Sequence, residues 1–226
     1  MTRSGYVQAL RVGTLTIGGS IIAGTDATSG TFSENGAISV TNDIGVATIK
    51  GSLIGNATHS VVVKARGQRV PTATTDLAIG QLTVNGRVEF SQILAGYDIF
   101  GTARNADAQI GPVIVGHDWI ASNLVAGAVA GADGRFGTQD DAKMPGSNGS
   151  AGFKDVATLS SRITSVTIGG QAFGTSASGD NYGIVAQNVG SLSLKGGLTT
   201  IPLVAGNGND SVLIGLFGDF RLREIL

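Results

Sequence analysis

Apolar and polar positions alternate with period two through much of the chain, and the alternation comes in copies of one ten-residue unit. The unit reads aliphatic, Gly, any, apolar, any, aliphatic, any, Gly, any, apolar. Its copies are VGTLTIGGSI (from Val12), IGVATIKGSL (from Ile44), IGQLTVNGRV (from Ile79), IGPVIVGHDW (from Ile110), ITSVTIGGQA (from Ile163) and VGSLSLKGGL (from Val189). Gly holds the second position in all but the fifth copy, where Thr164 stands, and the eighth in all but the fourth, where His117 stands. Period two is the strand period. A strand unit copied six times predicts a stacked array in which each strand pairs with its counterparts in neighbouring units.

The copies begin at 12, 44, 79, 110, 163 and 189, so most intervals lie near thirty residues. That length holds three short strands and three corners. A second apolar run follows all but the fifth copy: SIIAG (20–24), SLIGN (52–56), FSQILAG (90–96), IASNLVAG (120–127) and TIPLVAG (200–206). A third precedes the next copy: AISVTND (37–43), SVVVKAR (60–66) and YGIVAQN (182–188). The expected fold is all-β: a parallel β-helix, or β-solenoid, of about six coils at about 4.8 Å spacing. Leu15, Ala47, Leu82, Val113, Val166 and Leu192 should form one inward ladder, and Ile17, Ile49, Val84, Val115, Ile168 and Leu194 its neighbour. Thr16, Thr48, Thr83 and Thr167 should face outward, where β-branched side chains suit a pleated surface.

The interval between the fourth and fifth copies is 53 residues. Its surplus is a polar, Gly-rich stretch around 131–155, read as a loop inserted between coils. Insertions in a solenoid tend to fall on one face, often the binding face. Helices are not expected. The best helical candidate, SNLVAGAVAGAD (122–133), is interrupted by Gly127 and Gly131. A β-sandwich would also supply short strands, but it does not require one pattern six times.

Composition agrees with this reading. Charged residues are only 14% of the chain, too few to solvate helix faces, while the 36 glycines recur at fixed places in the repeat, as corners would require. Net charge is −1 without a Lys/Arg block, so nucleic acid is not an expected partner. The absence of cysteine excludes disulfides, thiol catalysis and Cys-ligated metals. No apolar run is long enough for a membrane span. The first residues, MTRSGYVQALRVG, lack both the apolar core of a signal peptide and a charged cap. The expectation is therefore one solenoid domain over 1–226, a fragment of a longer polypeptide whose adjacent coils would be its partners. GDFRLREIL (218–226) alternates charge and apolar residues and is expected to form a charged edge strand.

The segments 93–142 and 163–196 resemble the β-strand-repeat regions of large exported bacterial surface proteins. The resemblance implies a right-handed parallel β-helix at the cell surface or outside the cell. It implies a non-catalytic spacer or adhesive surface that meets carbohydrate or another cell-surface ligand. It brings no catalytic residues.

Several residues carry candidate chemistry. Asp133, Asp140 and Asp141 lie within nine residues of the inserted loop and could supply oxygens to calcium, although they miss the EF-hand spacing. Without a cation their mutual repulsion should disfavour a compact loop. GNGND (206–210) resembles one unit of a calcium β-roll, but no second copy follows, and a turn into SVLIGLF is the simpler reading. Trp119 is either a platform for a sugar ring or an inward plug at the tenth repeat position, where other copies have Ile21, Leu53, Val88, Ala172 and Leu198. The alternative function is a carbohydrate-active β-helix enzyme, a lyase or glycosidase. It would need converging carboxylates, for which Asp98, Asp107 and Asp118 are the candidates, with Arg104 or Lys143 beside them.

Overall fold

The computed structural model describes residues 4–24, 34–145, 153–196, 201, 203–204 and 207–226. Strands and the turns between them make up these residues, and none of them is helical, so none forms a membrane-spanning helix.

The strands Val12–Ile17, Ile44–Ile49, Leu77–Val84, Gln109–Val115 and Arg162–Ile168 pair in that order, all parallel. Asn188–Val189 and Leu192–Leu194 close this first sheet against Arg162–Ile168. The pairing runs Leu15 to Ala47, Ala47 to Leu82, Leu82 to Val113, Val113 to Val166 and Val166 to Leu192. It also runs Ile17 to Ile49, Val84, Val115, Ile168 and Leu194. Both ladders are those expected from the repeat. From Ala47 to Val166 and from Ile49 to Ile168 their members are essentially without exposure. Thr16, Thr48, Thr83 and Thr167 are less buried, on the opposite face.

A second sheet of five two-residue strands, Ile21–Ile22, Leu53–Ile54, Val88–Glu89, Trp119–Ile120 and Ala172–Phe173, is parallel throughout. The third sheet contains Tyr6–Ala9, Ala37–Val40, Val61–Ala65, Ser91–Ala95, Asn123–Ala126, Tyr182–Ala186 and Phe220–Glu224 in spatial order. The runs FSQILAG and IASNLVAG therefore belong mainly to the third sheet, not to the second as their position suggested. One residue turns the chain between the two sheets: Phe90, at φ 44°, and Ala121, at φ 44°, take the left-handed conformation there. Ser91 and Ser122 brace these corners by donating to the carbonyls of Glu89 and Ile120 at 3.0 and 2.7 Å. The run TIPLVAG lies largely outside the described residues, as does Leu198.

The chain visits the three sheets in rotation, and one apolar core draws on all three, including Ile49, Leu53 and Val63. Besides the isolated antiparallel bridge of Tyr97 with Ala103, two strand pairs among the described residues depart from parallel pairing. Ala128–Val129 meets Ala142–Lys143 antiparallel at the base of the inserted segment. At the other, Ser211–Ile214 runs antiparallel beside Phe220–Glu224 and takes the sheet edge. The charged strand expected at that edge is thus paired on both sides. Glu224 is buried and accepts the N–H groups of Val189, Asn209 and Asp210 at 2.7, 3.0 and 3.1 Å. At the opposite end, Val7, Val12, Leu15 and Ile17 are only partly buried against the core.

The second-position glycines are needed for closeness rather than for corners. None of Gly13, Gly45, Gly80, Gly111 or Gly190 has a positive φ. Instead, a Cβ at Gly45 would lie 2.4 Å from the Gly13 carbonyl oxygen, and one at Gly80 2.4 Å from that of Gly45.

The outer face of the third sheet is also covered, which the repeat did not foretell. Tyr97, Ala106, Val125, Ala128, Met144, Val185 and Ile225 form a second apolar cluster, with Leu94 and Phe136 packed on it. The segments after Ala95 and Ala126 fold back over this face, and so Asn123–Ala126 is buried at every residue.

Candidate functional site

The segments that cover the third sheet carry buried polar groups, among them Asn105, Asp107 and Asp141. Asp133, Asp140 and Asp141 all lie in the inserted segment above it, but they do different work. Asp140, on the surface, accepts the Thr138 hydroxyl at 2.5 Å and the Asp133 N–H at 3.2 Å, and these bonds hold its carboxyl below the ordinary range. Asp133 accepts the Arg135 N–H at 2.8 Å. Asp141 is buried and accepts the N–H groups of Gly137 and Thr138 at 2.8 and 3.2 Å. The loop's own donors meet part of the charge on the three carboxylates, and the buried Asp141 Oδ1 has no hydrogen-bond partner. Among the described residues, no group of three or more acidic or imidazole side chains is placed to hold a metal. GNGND begins outside the described residues, and its Asp210 accepts the Val204 N–H at 2.9 Å, as a turn would have it.

Asp141 carries a measurable consequence. Burial pushes its carboxyl up to about 6, against the opposing pull of its backbone hydrogen bonds and of Arg223, with Asp140 and Tyr97 close by. Between the unfolded value near 4 and the folded value near 6, the native state binds the extra proton. Stability from this group is therefore lost as pH rises through that window. Acidification from pH 7 to pH 5 is expected to stabilise the protein by about 1 kcal/mol at this site. Asp141→Asn should flatten that part of the profile. Denaturant unfolding of both proteins at pH 7, 6 and 5 tests it, and parallel profiles would remove the assignment.

Trp119 has no exposed ring face. It is 0% exposed, it sits between Val88 and Ala172 in the second sheet, and its Nε1 donates to the Ser122 carbonyl at 2.9 Å. The sugar-platform reading is corrected here: the tenth repeat position points into the core, and the indole fills it. His117, next to it, is exposed.

The three carboxylates considered for hydrolysis stand in separate networks. Asp98 pairs with Arg104 at 3.0 Å and accepts the N–H groups of Phe100 and Thr102. Asp118 accepts the Gln171 N–H at 2.8 Å at the corner between the first and second sheets. Asp107 is fully buried, and its Oδ2 accepts the Val156 N–H at 2.8 Å. Burial raises its pKa, and its Oδ1 has no hydrogen-bond partner. Arg104 lies over the Phe153 ring at 4.8 Å, and Lys143 pairs with Asp155 at 2.6 Å.

A cluster that sequence reasoning missed lies beside Asp107. Asp76 and Asn105 are both 0% exposed. Asp76 Oδ1 accepts the Gln68 N–H at 2.6 Å, and its Oδ2 accepts from Asn105 Nδ2 at 3.0 Å and Lys154 Nζ at 2.9 Å. Lys154 Nζ also donates to the Gln68 carbonyl, and Asn105 Nδ2 to the Arg66 carbonyl at 2.8 Å. The backbone comes very near at Gly67, where φ is +134° and a Cβ would meet Asn105 Nδ2 at 2.3 Å. Buried charge of this kind is held only when paired and hydrogen-bonded. Comparison of the chain with protein-family models, with curated proteins and with solved structures gave no match in any of the three.

Proposed function

We propose that the chain is a right-handed β-solenoid segment of an exported bacterial surface protein, and that its work is structural: a rigid spacer or an adhesive surface. The observation that carries this reading is the pairing of the first sheet, in which the two inward ladders of the six copies stay in phase over one core, with one register shift between Gln109 and Ile110 just before the fourth copy. A stack of this kind transmits force through its backbone ladders and presents long outer faces. Among the described residues, Tyr6–Ala9, Val12–Ile17 and Ile21–Ile22 are the outermost strands of their sheets, the side on which further coils would stack. The resemblance of 93–142 and 163–196 to surface-protein repeats supports the extracellular setting, and carbohydrate is the partner class it suggests. Separate placement of Asp98, Asp107 and Asp118 favours the spacer over the carbohydrate-active enzyme.

Two measurements test the proposal. Antibody against this segment should label intact cells of the source bacterium, and labelling only after lysis would overturn the surface assignment. Pulling the chain by its termini should release it in steps near one coil of about thirty residues, or roughly 100 Å of contour. Release of reducing ends or unsaturated products from neutral or acidic polysaccharides would reverse the choice in favour of the enzyme.

A further inference from the structure

We propose that Lys154 and Asn105 become joined by a side-chain amide, an isopeptide bond, with Asp76 as the catalytic residue. The two are partners in a parallel backbone bridge. Lys154 N donates to the Arg104 carbonyl and Ala106 N to the Lys154 carbonyl, both at 2.9 Å. Bridge partners send their side chains to the same side of the sheet. Both side chains end on one atom: Lys154 Nζ lies 2.9 Å and Asn105 Nδ2 3.0 Å from Asp76 Oδ2. An amine, a carboxamide and a carboxylate are thus gathered from three segments at a point where the carboxylate and the carboxamide are wholly buried.

The chemistry balances within this set. Asp76 Oδ2 accepts a proton from the Lys154 ammonium, which frees the Nζ lone pair. Nζ attacks Asn105 Cγ and the Nζ–Cγ bond forms. The negative charge that develops on Asn105 Oδ1 is met by the Asp107 N–H, which already donates to that oxygen at 3.1 Å. Asp76 passes this proton to Nδ2, the Cγ–Nδ2 bond breaks, and Asp76 Oδ2 takes the second proton that Nζ must lose to become an amide N–H; that proton leaves with the ammonia as ammonium, and Asp76 ends as a carboxylate. No oxidant, metal or cofactor takes part. Fixed juxtaposition replaces an encounter between two dilute groups, and burial of Asn105 keeps water from competing for its carbonyl. The bond would tie the inserted segment to the turn at 105 covalently, on the face where that segment covers the third sheet.

Mass spectrometry of the intact, folded chain reads the result directly. The expected mass is one ammonia below that of the sequence. Digestion should yield a branched peptide carrying Asn105 and Lys154, with fragment ions that place the link on those side chains. Ammonia can also leave Asn35, Asn85, Asn148 or Asn207, each followed by Gly, through succinimide formation, so the branched peptide must survive hydroxylamine, which opens succinimides. Lys154→Arg should restore the full mass while keeping a cation beside Asp76, and Asp76→Ala should prevent the loss. A wild-type mass equal to that of the sequence, or an ammonia loss that maps elsewhere, would overturn the proposal. So would a loss of water with Lys154 joined to Asp76 instead.

Discussion

Trp119→Ala is expected to destabilise the protein by about 3–5 kcal/mol, the cost of emptying a large, fully buried site. At a chain length near this one, that corresponds to a fall in unfolding midpoint of roughly 6–20 °C. The indole is 0% exposed and stacks between Val88 below and Ala172 above in the second sheet. Ala172 is too small to fill the space alone. The substitution also strips the Ser122 carbonyl of its donor at 2.9 Å, which adds the cost of an unpaired buried acceptor. Trp119→Phe keeps most of the volume and loses the N–H, so its cost should be smaller, about 1–2 kcal/mol. Since Trp119 is the only tryptophan, unfolding of the variants has to be followed by circular dichroism. The wild-type indole should emit as a buried group and resist quenching by iodide. A cost below about 1 kcal/mol for the alanine variant, or ready quenching of the wild type, would return Trp119 to the surface role considered from sequence.

The first sheet could be foreseen because its register is doubly marked. Period two fixes which residues face inward, and a slip of one residue would turn every one of them outward. The glycine at the second position then marks the same height in each copy, and so Leu82 was matched to Ala47 and Val113 without coordinates. The second and third sheets were harder to separate. Phe90 and Ala121 make their left-handed corners with side chains that ordinarily avoid that conformation, so no Gly, Asn or Pro marks the break. The runs FSQILAG and IASNLVAG therefore look continuous with the second strand.

The outer cover was hidden for a different reason. A strand buried on both faces loses its alternation and becomes a plain apolar run, as in Asn123–Ala126, and such a run does not say what lies on its far side. The polar cluster beneath the cover has no spacing signature at all. Asp76 is 29 residues from Asn105 and 78 from Lys154, and each residue type is ordinary in a turn. Only the backbone bridge between 105 and 154 brings them together. The three aspartates of the inserted loop lie close together in sequence, which suggests a shared cation; in the structure each accepts from local N–H or O–H donors, and Asp141 Oδ1 is left without a partner. Charge spacing alone does not reveal how many local donors a Gly-rich turn will expose.

Gly111→Ala and Gly13→Ala are expected to differ sharply, although both replace the second glycine of the repeat. At Gly111 an added Cβ would lie 1.8 Å from the Gly80 carbonyl oxygen and 2.8 Å from its carbon. Both atoms are backbone, in a sheet paired on each side, so relief requires the strands to part. The cost should reach about 3 kcal/mol, the upper part of the range for overpacking a tight core. At Gly13, in the outermost strand of the same sheet, a Cβ meets nothing within 4 Å. Gly13→Ala should stay within about 0.5 kcal/mol of the parent, as surface substitutions do. Neither glycine has a positive φ, so backbone strain cannot produce the difference. Thr164 fills this position in the fifth copy, which shows that the restriction comes from how closely one coil lies on the last rather than from the repeat itself. Equilibrium denaturation of the two variants decides the matter. Equal effects would mean that the glycine column marks sequence duplication and has no steric part in the stacking.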